Sequence, residues 1–371
     1  TIALTTDGDG NATIVNDDDI NFANSTVRGD LHATATTSHI TDTGTLTITG
    51  ESTFITRVDG SNIELGSSGN TFADAVTMKA ETDGSEAFGN IVFVDSGAVD
   101  FDSSGSSDGD LNINASSTNG AVGGNLSITA TGHITQNVAV NIGGTTTIDV
   151  GNSKDITLTN TSNRFTGAII ITAARNIDLG ETGDIVLGTS DVSGDYQITS
   201  TGNISDAVGA TLTVAGASVF ITTTDGSDII LDGSANAFSG SVTYKADTGG
   251  DETFGNIVFV DSEAVKLHTS AGTNGDLFID ANTDGVAAVG GSLSIKATSG
   301  NITQSLPVTV GTTSSFTTSA NNTTITLSNT SNAFTGALTI TTNDDSNDRS
   351  YATIDGGTTA LIIATSTIDG N

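Results

Sequence analysis

The residues best suited to chemistry in this sequence are carboxylates, which occur in short clusters. Asp7-Gly8-Asp9-Gly10-Asn11 resembles the start of a calcium loop, but its twelfth position is Asp18 instead of Glu and its flanks are not helical. The glycine-rich nonapeptide calcium repeat is absent. Solvated turn acids are therefore the favoured interpretation, and weak calcium binding is the alternative. The calcium candidates are Asp7, Asp9, Asp108, Asp110, Asp344 and Asp345.

The four histidines do not form a catalytic pattern. His39 and His133 occupy the position that Asn203 and Asn301 hold in other copies of a repeated segment, which predicts a turn role. The other two histidines have no repeated acidic or serine partner at a fixed spacing. A Ser–His–Asp arrangement is therefore unsupported.

Carboxylate catalysis on an acidic polysaccharide is the sharpest enzymatic alternative. Such a site should break the internal repeat, because chemistry is needed only once. The clearest departure is Val99-Asp100-Phe101-Asp102 against Val265-Lys266-Leu267-His268, and alternating surface charge on outward strand positions explains it. Lys79 and Lys245 recur at equivalent places and indicate repeated surface. We therefore predict no catalytic residues and no enzyme.

The charge balance excludes several partners. The chain carries 43 acidic and 10 basic residues in 371, a net charge of −33. Nucleic acid and anionic membrane surfaces require clustered Lys and Arg. The absence of Cys excludes disulfides and zinc–thiolate sites. No apolar run approaches the roughly 20 residues that span a bilayer. The start lacks an initiator Met and a signal peptide, so we expect an internal or processed piece of a longer protein.

An internal duplication organises the chain. The string FGNIVFVDS occurs at 88–96 and again at 254–262. Around it, 54–172 aligns with 220–341, and the extra residues of the second copy fall in Gly/Ala/Ser-rich stretches typical of loops. We predict one continuous β-solenoid over 1–371, with partial modules at 1–53, 173–219 and 342–371.

Each long copy contains two related halves, one of which is Asn-x-Phe, usually followed by x-Gly. Its positions are Asn70 and Phe72, Asn163 and Phe165, Asn236 and Phe238, and Asn332 and Phe334. The other half is a strand with a small turn, as in GNLSITATGHITQ at 124–136 and GSLSIKATSGNITQ at 291–304. Together they make a module of roughly 70–95 residues.

Apolar residues alternate over three to five positions, which is typical of short half-buried strands. Ile plus Val outnumber Leu by 58 to 18, which favours strands over helices. Short strands, variable turns and a long duplication predict an all-β parallel β-helix of about 12–18 coils. Phe of Asn-x-Phe should point inward and stack, Asn should form a corner ladder, and the following Gly should turn the corner.

The strand-turn pattern, followed by V-x-[VI]-x-G and then I-x-L-x-N…N-x-F-x-G, resembles the repeats of large secreted bacterial adhesins of the filamentous-haemagglutinin type. The resemblance extends from about residue 26 to residue 341. It implies a right-handed parallel β-helix, export through a partner outer-membrane transporter, and a location at the bacterial cell surface. It implies no catalytic residues, because these repeats form the shaft in that family.

We therefore expect a non-enzymatic structural segment of an extracellular bacterial surface protein, a stiff adhesin shaft or a filament. Expected partners are neighbouring coils or subunits end to end and cell-surface or matrix polysaccharide, without nucleic acid or membrane insertion. No cofactor is predicted apart from weakly bound calcium. The alternative is a β-helical carbohydrate-active enzyme or a glycan- or calcium-binding module. Outward threonines also suggest ice binding, but Ser, Asn, Lys and Asp interrupt the required T-x-T pattern.

Overall fold

The chain folds entirely into β-strands and turns over the residues that the computed structural model describes. These residues are 1–80, 89–103, 107–115, 118–119, 121–246, 254–268, 275–280, 287–343 and 349–368. Within them, no helix has the length and apolar character needed to cross a membrane. Two compact units result, Thr1–Glu181 and Thr182–Asn371.

The described residues of the first unit form 23 strands. They are β1 (Ala12–Asn16), β2 (Ile20–Phe22), β3 (Ser25–Val27), β4 (Leu31–Ala35), β5 (Ile40–Asp42), β6 (Leu46–Ile48), β7 (Ser52–Thr56), β8 (Ile63–Leu65), β9 (Thr71–Phe72), β10 (Val76–Ala80), β11 (Ile91–Asp95), β12 (Val99–Phe101), β13 (Asp110–Ala115), β14 (Thr118–Asn119), β15 (Ala121–Val122), β16 (Leu126–Ala130), β17 (Ile134–Gln136), β18 (Asn141–Ile142), β19 (Thr146–Asp149), β20 (Ile156–Leu158), β21 (Arg164–Phe165), β22 (Ile169–Ala174) and β23 (Ile177–Glu181).

In the second unit, the part of the chain that the structure describes continues with 21 strands. They are β24 (Ile185–Val192), β25 (Tyr196–Ser200), β26 (Ile204–Asp206), β27 (Leu212–Val214), β28 (Ser218–Thr222), β29 (Ile229–Leu231), β30 (Ala237–Phe238), β31 (Val242–Ala246), β32 (Ile257–Asp261), β33 (Val265–Leu267), β34 (Asp276–Asp280), β35 (Ala287–Val289), β36 (Leu293–Ala297), β37 (Ile302–Gln304), β38 (Val308–Val310), β39 (Ser314–Thr318), β40 (Thr324–Leu327), β41 (Ala333–Phe334), β42 (Ala337–Thr341), β43 (Tyr351–Ile354) and β44 (Ile362–Ile363).

Strands of successive coils pair in parallel and in register. In the first unit, β1, β4, β7 and β10 stack on one face, β2, β5, β8 and β11 on a second, and β3, β6 and β9 on a third. The pairing of β25 with β28 shows the same register, from Tyr196↔Ser218 to Ser200↔Thr222. The prediction of an all-β parallel β-solenoid is therefore confirmed, with about 13 turns over the chain.

Inward and outward side chains alternate along each short strand, and the inward side chains form the core. In β8, Ile63 and Leu65 are fully buried and Glu64 between them faces outward. Each inward residue stacks on its equivalent in the next coil, because parallel in-register strands place equal positions about 4.8 Å apart. The core is consequently a column of side chains along each solenoid unit.

Aromatic rings form part of that column, as predicted for Phe of Asn-x-Phe. In the second unit, Phe220 makes edge-on contacts with Tyr196, Phe238 and Tyr244 at centroid distances of 5.9, 6.1 and 5.6 Å. The first unit has a matching run through Phe54 and Phe72, whose rings are 6.2 Å apart. Edge-on pairs of this kind add about 0.5–1.5 kcal/mol each beyond the area they bury.

The asparagines of Asn-x-Phe are fully buried, apart from Asn332 at 2% exposed. Asn163 shows their role: its Oδ1 accepts the Val140 N–H at 2.9 Å, and its Nδ2 donates to the carbonyls of Leu158 at 3.0 Å and Gly180 at 3.1 Å. Gln136 Nε2 donates to Asn163 Oδ1, and Gln136 Oε1 accepts a hydrogen bond from Asn163 Nδ2. Each such asparagine therefore joins the backbone of neighbouring segments inside the solenoid.

The predicted asparagine ladder exists, but at other residues. The motif asparagines recur only once per module, so two of them never occupy successive coils. The ladder instead runs along another corner, where Asn62 Oδ1 accepts the N–H of Asn90, and Asn90 Oδ1 accepts the N–H of Asn125. Asn125 Oδ1 then accepts the N–H of Thr145.

The glycine after Asn-x-Phe is required by close approach between coils. At Gly167, Gly240 and Gly336 an added Cβ would collide with a backbone carbonyl of the preceding coil. None of the three has a positive φ. Glycine is therefore required at these corners because a side chain would not fit, and not because the backbone is left-handed.

Candidate functional site

The main irregularity of the first unit is an inserted strand. β13 pairs with β10 on one side, through Val76↔Leu111, and with β12 on the other, through Phe101↔Leu111. β12 pairs in turn with β17. The chain between β12 and β13 passes through Gly109, whose φ of +86° belongs to the left-handed region that suits glycine.

This insertion creates a polar patch on the outer face. Val99, Phe101, Leu111 and Ile113 point into the core, so the residues between them face outward. The register places these outward side chains in two neighbouring rows across β13, β12 and the β17 edge. The first row contains Asp110, Asp100 and Thr135. The second row contains Asn112, Asp102 and Asn137.

Three carboxylates meet in this patch. One oxygen from each of Asp100, Asp102 and Asp110 lies within 4.8 Å of the others, and Asp110 is only 8% exposed. Asn137 Nδ2 donates to Asp100 Oδ2 and to Asp102 Oδ2, both at 2.9 Å. The Ser107 N–H donates to Asp110 Oδ2 at 2.9 Å. The amide of Asn137 therefore holds two carboxylates side by side.

The surroundings of Asp100 oppose its ionisation. Burial raises the pKa of Asp100, and the charges of Asp102 and Asp110 raise it further, although the Thr135 hydroxyl lowers it. Asp100 Oδ1 is buried, and no described residue places a donor in hydrogen-bonding geometry to it. The cluster can therefore accept either protons or a cation.

The second unit has the same inserted strand with different chemistry. β34 lies between β31 and β33, through Val242↔Leu277 and Leu267↔Leu277. Lys266 and His268 stand where the first unit has Asp100 and Asp102, and Asp276 stands where it has Asp110. Lys266 Nζ lies 3.8 Å from Asp276 Oδ1.

Of the predicted calcium candidates, only Asp110 belongs to a three-ligand cluster among the described residues. Asp7, Asp9 and Asp108 are exposed, the latter two in turns. Asp344 and Asp345 lie outside the described residues. The structure also revises the interpretation of Asp100 and Asp102 as alternating surface charge: they do face outward, but they converge on Asp110.

The sequence contained a signal for this cluster. Asp100 and Asp102 were the clearest departure between the two long copies, and Asp110 recurs as Asp276. Only the pairing of β12 with β13 brings the three side chains together, because seven residues separate Asp102 from Asp110 in the chain.

A second set of buried carboxylates has a structural role that sequence reasoning missed. Each of these carboxylates accepts the backbone N–H of the Phe in an Asn-x-Phe motif. The pairs are Asp95 with Phe72 at 2.9 Å, Asp261 with Phe238 at 3.2 Å and Glu181 with Phe165 at 2.9 Å. Burial raises the pKa of Asp95, raises that of Asp261 to about 6 and raises that of Glu181 to about 8. The aspartate of the repeated string FGNIVFVDS therefore helps to form the corner at the Asn-x-Phe motif.

Two histidines also belong to the corners. His39 Nδ1 accepts the N–H of Asn62 at 2.9 Å, as an asparagine Oδ1 does elsewhere in the ladder. His133 Nδ1 accepts the N–H of Asp155 at 3.0 Å, and Arg175 pairs with the Asp155 carboxylate. The predicted turn role of both histidines is confirmed.

Stacked parallel coils and a core of recurring residues define a β-solenoid repeat protein. The chain belongs to the family described as Repeats of unknown function (DUF5649), whose model matches residues 9–79, 89–172, 174–245 and 272–341. Neither the curated proteins nor the solved structures include a match to the chain.

Proposed function

We propose that this chain is a non-enzymatic structural segment of an extracellular bacterial surface protein, a stiff adhesin shaft or filament used in attachment, cell–cell contact or matrix scaffolding. The observation that carries this proposal is the burial of all four Asn-x-Phe motifs. The most regularly repeated residues of the chain hold coils together rather than line a site. The resemblance to filamentous-haemagglutinin-type shafts supports the location at the cell surface.

The mechanism is mechanical. Each coil is bonded to the next through parallel ladders, as in the five register pairs between β28 and β31. A force along a solenoid axis loads many of these bonds together, so a coil resists separation more strongly than any single bond would suggest. The net charge of −33 on outward faces and turns keeps the strands soluble and discourages sideways association.

The three-aspartate cluster is the observation that would favour the enzymatic alternative, cleavage of an extracellular polysaccharide. Glycosidases place their two carboxyl groups about 5–5.5 Å or about 6.5–9.5 Å apart, which leaves room for the sugar or for water. One oxygen of each of Asp100, Asp102 and Asp110 lies within 4.8 Å of the others, so all three carboxylates can reach one small ion. We therefore keep the structural proposal.

Three experiments test it. Electron microscopy of the purified chain should show rods, and compact globules would contradict a stiff segment. Antibodies against the chain should label intact cells of the source organism, whereas labelling only after permeabilisation would contradict a surface location. Release of reducing ends from anionic polysaccharides by the purified chain would favour the enzyme instead.

A further inference from the structure

The outer face of the first unit gathers oxygen ligands at one point. The carboxylates of Asp100, Asp102 and Asp110 approach within 4.8 Å, a spacing that one ion with ligand distances near 2.4 Å can bridge. Neighbouring carboxylates in a half-buried patch repel one another unless a proton or a cation compensates their charge. Acid clusters are nevertheless common on protein surfaces, so a bound ion can be inferred only with a further, independent observation.

The first support is a buried amide. Asn112 is 6% exposed, and no described residue donates a hydrogen bond to its Oδ1. Asn112 follows Asp110 by two residues on β13, so both side chains share the outer face, and the register places Asn112 beside Asp102. Its Nδ2 is held by the carbonyl of Ser103, the residue after Asp102, at 2.7 Å. A buried amide oxygen without a donor is costly, and a cation bound beside Asp102, within reach of this oxygen, would remove that cost.

The second support comes from the other copy of the repeat. The equivalent patch of the second unit contains its own cation, since Lys266 Nζ lies 3.8 Å from Asp276 Oδ1. The same backbone arrangement thus carries an ammonium group in one unit and a third carboxylate in the other. In the second unit Phe278 replaces Asn112, so the amide oxygen is lost where the lysine is present.

We propose that Asp100, Asp102 and Asp110, together with Asn112 Oδ1, bind a divalent cation of the calcium class, and that Lys266 takes the place of this cation in the second unit. Ca²⁺ accepts six to eight oxygen ligands in flexible geometry, and water would complete the shell. An all-oxygen set favours Ca²⁺ over zinc, which prefers nitrogen and sulfur. The bound ion would fasten the inserted strand β13 to β12, and the site is independent of the shaft proposal.

Calorimetric titration of CaCl₂ into the chelator-treated full chain at pH 7.5 tests this site. We expect one ion per chain with a dissociation constant of about 10⁻⁴–10⁻³ M, the range of extracellular calcium modules. MgCl₂ should bind more weakly, because Mg²⁺ requires near-ideal octahedral geometry. Absence of calcium binding, or tighter binding of Mg²⁺, would overturn the proposal.

The decisive variant places the lysine of the second unit, Lys266, at the equivalent position of the first unit. Asp100→Lys should weaken calcium binding at least tenfold and should melt, in chelator, at or above the temperature of the parent. Asp102→Asn, a substitution of equal size, should also weaken binding at least tenfold and covers the case in which Asp100→Lys does not fold. Asp9→Asn, in an exposed acidic turn, is the matched control and should bind as the parent does. Unchanged affinity in both cluster variants, or equal loss in Asp9→Asn, would assign the binding elsewhere and refute the site.

Discussion

Replacing the buried amide of Asn163 by a methyl group should be among the most destabilising single changes in the first unit. Asn163→Ala leaves the Val140 N–H without its acceptor and the Leu158 and Gly180 carbonyls without their donor. Each buried polar group that loses its partner costs about 1–3 kcal/mol. The carbonyls fall at the low end, since each has a second lone pair. The sum is about 3–5 kcal/mol of unfolding free energy.

Urea unfolding followed by far-UV circular dichroism measures this loss as a lower midpoint. The control is Ser153→Ala, because Ser153 is exposed in a turn of the same unit. A surface change of this kind should stay within about 0.5 kcal/mol of the parent. If the two variants unfolded within about 1 kcal/mol of each other, the motif asparagine would not hold the coils together as argued.

Three further predictions concern the corner and the core. Burial raises the pKa of Glu181 from 4.5 to about 8, so ionisation of this one carboxyl should cost the parent about 2–4 kcal/mol of stability as pH rises from 4.5 to 8, in addition to the smaller losses from Asp95 and Asp261. Glu181→Gln should remove that loss and the exposed-site control Glu51→Gln should keep it; parallel pH profiles of the parent and Glu181→Gln would contradict the assignment. Phe220→Ala should cost about 3–5 kcal/mol in urea unfolding, because it empties the centre of an aromatic column; a cost below about 1 kcal/mol would show that the column is loosely packed. Gly167→Ala should lower the melting temperature by more than Gly66→Ala, whose Cβ would meet only a side-chain methyl at 3.3 Å; equal shifts would refute the close-approach argument.

Much of the corner could be predicted from the repeats, because a residue type that returns at a fixed place usually has the same neighbours in each copy. The repeat predicts a turn role for His39 because Asn203 stands at its position, and His39 Nδ1 does accept a ladder N–H. The repeat also predicts the ladder at the wrong asparagines, since residues of the Asn-x-Phe motif and of the ladder look alike in sequence. The acid of FGNIVFVDS escaped notice because its partner, a backbone N–H of the preceding coil, has no sequence signature.

The class of fold can be predicted from the amino-acid sequence alone. Alternation over three to five residues, β-branched side chains and the duplication of 54–172 as 220–341 are local or self-comparing signals, and they suffice for a parallel solenoid. The position of β13, in contrast, depends on long-range strand pairing. Strand pairing is non-local, and the same residues could have followed β12 as an ordinary coil. Insertion between β10 and β12 sets Asp110 beside Asp100 and turns scattered acids into a candidate cation site.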